Sequence, residues 1–169
     1  VNETDAQNID THEQDGRHDF DFIIGRWNVH HRRLRELLKG SVTWDEFDGT
    51  TVDRSFLGGL GNIGEAIIHR ASGSFEAVSW RLFDPQTRLW SVYFANSIQG
   101  TQSAPMTGGF TEGRGEFYAQ EMFDGKSIFS RLIWSDITAN SFHWEQAFSA
   151  DGGRTWETNW TMDGARQQE

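Results

Sequence analysis

The sequence predicts a single all-β domain: an antiparallel up-and-down barrel of about ten strands, with a short N-terminal helix closing one end. Three observations carry this expectation. Apolar residues recur at strand rather than helix spacing from Trp27 onward. Turn dipeptides interrupt them at regular intervals. No helical stretch intervenes that would connect parallel strands by crossover.

Residues 1–17 are polar and acidic, without periodicity, and read as a flexible arm; the barrel domain is expected over 18–169. Within Phe20-Asp21-Phe22-Ile23-Ile24-Gly25-Arg26-Trp27, a short amphipathic run ends at Gly25 and the first strand begins. Gly25 suits the change of direction because glycine takes positive φ at little cost. The Trp27 ring is expected to fill the barrel floor. Strands are expected at 27–36, 41–48, 50–57, 62–70, 75–83, 88–97, 105–111, 115–123, 127–135, 141–149 and 155–162. The separating turns are Lys39-Gly40, Asp48-Gly49, Gly58-Gly59, Ser72-Gly73, Asp84-Pro85, Glu112-Gly113, Asp124-Gly125 and Asp151-Gly152-Gly153. The run Leu34 to Lys39 also fits one helical turn, but Gly40 and the alternation resuming at Val42 favour a hairpin. Gly58 to Gly64 lacks both a P-loop lysine and a following helix, and reads as a bend in which Asn62 tolerates a left-handed backbone.

At 169 residues the chain suits one domain with a sizeable core. Eight Trp and 13 Phe against two Tyr and two Pro give more aromatic surface than a small core needs. That surface either fills the barrel or lines a cavity within it. A net charge of −10, from 25 acids and 15 bases, argues against nucleic acid or an anionic membrane as partner. The lack of cysteine excludes disulfides, thiolate nucleophiles and Cys-based metal sites. No long apolar run and no signal-peptide pattern is seen, so a cytoplasmic protein is expected. Edge strands or the acidic arm leave room for a homodimer.

The G-x-W pattern at Gly25 to Trp27, preceded by Phe20 and Ile23, resembles the first lipocalin motif and so the calycin group of barrels. Over His18 to Arg166 the chain resembles a bacterial calycin-like family grouped under the label DUF1579. The stretches HDFDFIIGRWNVHHRRL, FLGGLGNIGE, LFDPQTRLWSVYF and WEQAFSADGGRTWETNW carry this likeness. It implies a calycin-like barrel and transfers no activity. Retinoid- or odorant-type binding is not implied, because the T-D-Y signature of true lipocalins is missing.

Strand alternation places Trp27, Val29, His31 and Arg33 on one face, toward the lumen if Trp27 plugs the floor. An inward His beside an inward Arg pairs a group titrating near neutrality with a permanent cation. Glu65, Arg81, Arg131 and Glu145 sit mid-strand among apolar residues, where a charge is either solvated or paired. Inside a lumen, such Arg and Glu groups would bind a carboxylate or enolate, or form a structural ladder. Trp27, Trp44 and Trp134 would shape an apolar wall. His143-Trp144-Glu145, with His69 or His30, offers N/O ligands for a metal, and His143 or His69 offers an axial ligand for haem, as in the nitrobindin barrels. Neither has a supporting local motif, so no metal or other cofactor is expected. Ser149 to Trp156 matches an Asp box, in which the Asp ties its own turn and the Trp packs beneath; it reads as structural.

These residues point to an apolar or aromatic small molecule bound in the lumen and processed by cofactor-independent acid–base chemistry of isomerase, cyclase or lyase type. In that scheme His31 moves the proton, Arg81 or Arg131 steadies an oxyanion, Glu65 or Glu145 orients the cations, and Trp27, Arg33, Trp44 and Trp134 hold the ligand. The alternatives are a non-catalytic carrier or sensor, a haem-binding barrel, and a structural module with a filled lumen.

Overall fold

The computed structural model describes residues 15–168. It is a closed barrel of ten antiparallel strands, in which β1 (Gly25–Leu34) pairs with both β2 (Trp44–Phe56) and β10 (Glu157–Arg166). Between them run β3 (Gly61–Arg70), β4 (Gly73–Asp84), β5 (Leu89–Asn96), β6 (Met106–Thr111), β7 (Arg114–Phe123), β8 (Lys126–Ser135) and β9 (Ser141–Ser149). Each strand pairs with its sequence neighbours, so the topology is up-and-down. Closure pairs every strand on both sides over at least part of its length, so no strand lies wholly at an edge. Among the described residues no helix is long and apolar enough to cross a membrane.

The expected N-terminal helix is a single 3-10 turn, Asp21–Ile23. It delivers the fully buried Phe20 and Ile23 into the base of the barrel. The Phe20 ring meets Trp90 at 5.0 Å, Phe110 at 4.8 Å, Phe117 at 5.6 Å and Trp134 at 5.7 Å, mostly edge to face. Trp27 is fully buried beside this cluster, and its indole N–H donates to the Ile23 carbonyl at 2.7 Å. Gly25 sits between them at φ 134°, as the change of direction requires. Order reaches further toward the N-terminus than His18, because the Gly16 carbonyl accepts from the Trp90 indole at 2.9 Å. The rest of the expected arm, residues 1–14, lies outside the described residues.

Two expected strands, 41–48 and 50–57, are one. Asp48-Gly49 is no turn; Gly49 lies inside β2, opposite Val29 of β1 and Ile68 of β3. Its glycine is explained by space rather than by turning: a Cβ there would stand 2.7 Å from the Ile67 carbonyl oxygen and 3.2 Å from His31 Nε2. The bend around Gly58-Gly59 is real, with φ of 63° and 96°, but it ends at Leu60. Asn62 lies within β3, buried, and is not left-handed. The last strand runs to Arg166, past the expected end at 162, and a bulge between Thr158 and Trp160 resets its register.

The Asp box forms as the sequence implied. Asp151 accepts from the Thr155 hydroxyl at 2.6 Å, the Thr155 backbone N–H at 2.9 Å and the Ser149 hydroxyl at 2.9 Å. These bonds, led by the Thr155 side chain, hold its carboxyl down at about 2. They anchor the β9–β10 connection at the end of the barrel opposite the Phe20 cluster.

Candidate ligand cavity

The aromatic cluster fills only the base. Above it a cavity of about 280 Å³ opens, walled by small residues on one side, Gly64, Ala66 and Ala77, and by Trp134, Trp144 and Trp160 on the other. The pairing Ala66↔Ala77 creates width because neither side chain reaches across. β6 adds a second cause. It pairs with β5 through only three positions, ending at Val92↔Met106, so the upper parts of β5 and β7 share no ladder partner. Phe94, Asn96, Ser103, Ala104 and Glu121 line the cavity along that seam.

The floor of the cavity is polar. Arg81 and Asp53 are both nearly fully buried and form an ion pair at 2.9 Å. The same Arg81 nitrogen donates to Asn62 Oδ1 at 2.6 Å, and the other terminal nitrogen to Ser79 Oγ at 3.0 Å. Asp53 also accepts from the Thr51 hydroxyl at 2.9 Å. The guanidinium lies over the rings of Phe20 and Trp134, at 5.3 and 5.5 Å. Gly64 makes room for this pair, since a Cβ would collide with the Asp53 carboxylate.

Halfway up stands His31, buried and facing the cavity. Phe47 stacks on its ring at 5.0 Å, and the Trp160 indole N–H donates to its Nδ1 at 3.2 Å. That bond makes Nδ1 the acceptor and leaves the proton of the neutral ring on Nε2. Burial, aided by the charges of His30 and Arg70, lowers its pKa to about 4. Across the lumen, burial raises the pKa of Glu121, which also lines the cavity. Gln146 reaches in from β9 and donates to Asn159 Oδ1 at 2.9 Å, Asn159 being the residue inserted by the β10 bulge.

At the upper rim Arg33 and Arg70 each stand one inward step beyond a lining residue, His31 and Ile68 respectively. Arg33 lies over Trp160 at 5.3 Å; Arg70 lies over Phe47 at 4.8 Å, Phe75 at 5.1 Å and Trp160 at 6.0 Å.

Of the residues proposed from the sequence, His31, Arg81 and Trp134 line this cavity, Trp27 forms the floor beneath it, and Arg33 flanks its rim. The others face outward. Glu65 is exposed on β3; Glu145 faces His143 on the outside of β9 at 3.6 Å; Arg131 covers Trp156 at 4.4 Å; Trp44 lies under Arg32 at 5.1 Å. The roles assigned to them in the lumen are therefore not assembled by this fold. His143, Asp163, His30, Asp48 and His69 form a row directly opposite one another across β9, β10, β1, β2 and β3. This row lies on the outer surface, with contacts of 2.7 Å for His143–Asp163 and 2.8 Å for His30–Asp48. It takes His143 and His69 out of the lumen, where the haem reading needed one of them. Among the described residues no group of three or more His, Asp or Glu is arranged to hold a metal ion.

No family model and no curated protein matches the chain, so the likeness to the DUF1579 group rests on the motifs quoted above. Solved structures do match, among them two that are matched over most of their length. One is the S-type phycobiliprotein lyase CPES from Guillardia theta, with a TM-score of 0.57 at 9% identity, over 89% of this chain and 91% of that one. The other is Rv2717c from M. tuberculosis, with a TM-score of 0.56 at 11% identity, over 87% and 94%. The fold is calycin-like.

Within this calycin-like barrel, sequence reasoning missed Asp53, Asn62, Arg70, Glu121, Gln146 and Trp160. Asp53 shares its strand parity with Phe47, but splitting β2 at Gly49 hid that. Asn62 had been assigned to a bend. Arg70 continues the inward parity of Ile68 and was legible. Trp160 keeps the inward alternation of Met162 and Gly164, opposite Arg33 of β1.

The neutral, buried His31 ties stability to pH. Its folded pKa of about 4 lies below the unfolded value near 6.5, so the unfolded chain binds the proton more readily. The contribution is complete above pH 6.5 and is lost as pH falls through 4. Urea denaturation should show the native protein losing roughly 3 kcal/mol more than a His31→Gln variant across that window. Parallel losses in the two proteins would contradict the neutral assignment.

Proposed function

We propose that this barrel binds a small, mainly apolar molecule carrying hydrogen-bond acceptors. One observation carries the reading. The buried side-chain nitrogens without a partner among the described residues are all N–H donors, and those of Arg33, Arg70, Arg81, Trp134 and Trp144 lie on inward-facing positions. An unsatisfied buried donor costs about 1–3 kcal/mol, which an acceptor-bearing ligand would offset. The apolar wall of Ile68, Phe75, Phe94, Met106 and Met162 suits a ring system or short hydrocarbon. A phycobiliprotein lyase shares the fold, and it supports the small-molecule reading by analogy alone.

Fluorescence titration with neutral N-phenylnaphthylamine should give a saturable rise with the native protein. Ala77→Phe, which fills the widest part of the cavity, should weaken binding at least about tenfold while near-UV circular dichroism is kept. No saturable binding to the native protein, or undiminished binding to the filled variant, would refute the assignment.

A second reading, acid–base chemistry on the bound molecule, is favoured by the opposite pKa shifts of two groups on one cavity. His31 is lowered to about 4 and Glu121 is raised, each chiefly by burial. Glu121, as its carboxylate, would take the α-proton of a bound carbonyl compound, exchange it with solvent and return it, while His31 Nε2–H and the Arg81 group stabilise the enolate oxygen. Bound indanone should then exchange its α-protons with D2O faster than in buffer, and Glu121→Gln should abolish the acceleration. Exchange at the buffer rate would leave a carrier or sensor without chemistry.

A further inference from the structure

We infer that the ligand is an organic anion whose carboxylate or similar head sits between Arg33 and Arg70, with its apolar body in the cavity below. This rests on the ligand-binding reading above and specifies its chemistry.

The two guanidiniums come from β1 and β3, on either side of β2, and both are half-buried. They are close enough to repel: the charge of Arg70, after burial, helps lower the pKa of Arg33. Yet among the described residues neither has a carboxylate within ion-pair distance, and the Nε–H of each is buried without a partner. This is unusual in a chain with 25 acidic residues to 15 basic ones. The nearest acid in the strand register is Asp45, opposite Arg33; its carboxylate is held by Arg35 at 2.7 Å and offsets the Arg33 and Arg70 charges only from beyond ion-pair distance. Glu157 at the same end accepts from the Leu38 backbone N–H at 2.7 Å. Glu121 faces the cavity from β7, across the lumen.

Two like charges are costly to hold together unless something else compensates. Here aromatic faces compensate in part. Trp160 carries both guanidiniums, and Phe47 and Phe75 carry Arg70. Contact with these rings holds both guanidiniums at the rim, and arginine offers several N–H donors in a planar fork that suits a carboxylate. Trp160 and Phe75 also line the cavity, so a molecule in contact with these rings has its polar end beside the two edges. Arg81 is a poorer candidate for the same task. It already has Asp53, Asn62 and Ser79 as partners and stands at the closed end.

Isothermal titration with naphthaleneacetate and with naphthaleneethanol, which share the ring and differ in charge, separates the possibilities. The native protein should bind the acid at least about tenfold more tightly than the alcohol. Arg33→Met and Arg70→Met should each reduce that preference and together remove it, while binding of the alcohol persists and reports an intact cavity. Equal affinities in the native protein would overturn the anionic assignment and leave apolar binding standing. A preference surviving in the double variant would also overturn it, by placing the head group elsewhere. Failure of both compounds to bind would remove the ligand-binding reading itself.

Discussion

The Phe20 ring is the contact on which the rest of the molecule depends. A closed ten-stranded barrel encloses more room than its alternating side chains fill, and something must close one end. Here the chain does so with its own N-terminal segment. One 3-10 turn drives Phe20 into a nest of Trp90, Phe110, Phe117 and Trp134, with Arg81 over its outer face. The base becomes a packed aromatic core. The upper half, walled by Gly64, Ala66 and Ala77, stays open. Core and cavity are thus two parts of one interior, and their boundary is the polar layer of Arg81, Asp53 and Asn62.

That layer shows how the barrel manages charge away from water. Arg81 and Asp53 pair with each other and make further hydrogen bonds to Asn62, Ser79 and Thr51, which offsets the cost of burying the pair and leaves the Arg81 Nε–H without a partner among the described residues. Higher up the rule changes. His31 is held neutral, while the Arg33 and Arg70 guanidiniums lie over aromatic faces with no carboxylate within ion-pair distance. The lumen therefore grades from a charge-paired base to a rim whose cations have no carboxylate partner. A gradient of that kind orients an amphipathic guest: apolar body down, acceptor end up.

Much of the architecture was legible in the sequence because the barrel obeys period two almost throughout. Trp27 and His31 fall on the predicted faces, and the plug was visible in Phe20, Ile23 and Gly25. The errors share a cause. Glycine was read as a turn at Gly49, where it answers to the close approach of the Ile67 carbonyl, and as part of a bend at Gly64, where it makes space for Asp53. Both are long-range packing constraints, invisible to local pattern. The outward placement of Glu65, Arg131 and Glu145 reflects strands whose two faces are similarly apolar. Phe129 and Ile133, which flank Arg131, lie on the outer face, Ile133 covered and Phe129 partly exposed, so parity alone had no contrast to read. The Trp160 contact to His31 depends on the pairing of β10 with β1, which only the folded register reveals.

The three methionines provide the most direct measurement, since Met106 and Met162 line the cavity while Met122 is 68% exposed on the outer wall. With ¹³C-labelled methionine methyl groups, titration of naphthaleneacetate into the native protein should move the Met106 and Met162 signals saturably and together, and leave Met122 in place. Movement of Met122 alone, or of none of the three at saturating ligand, would contradict a binding site inside the barrel.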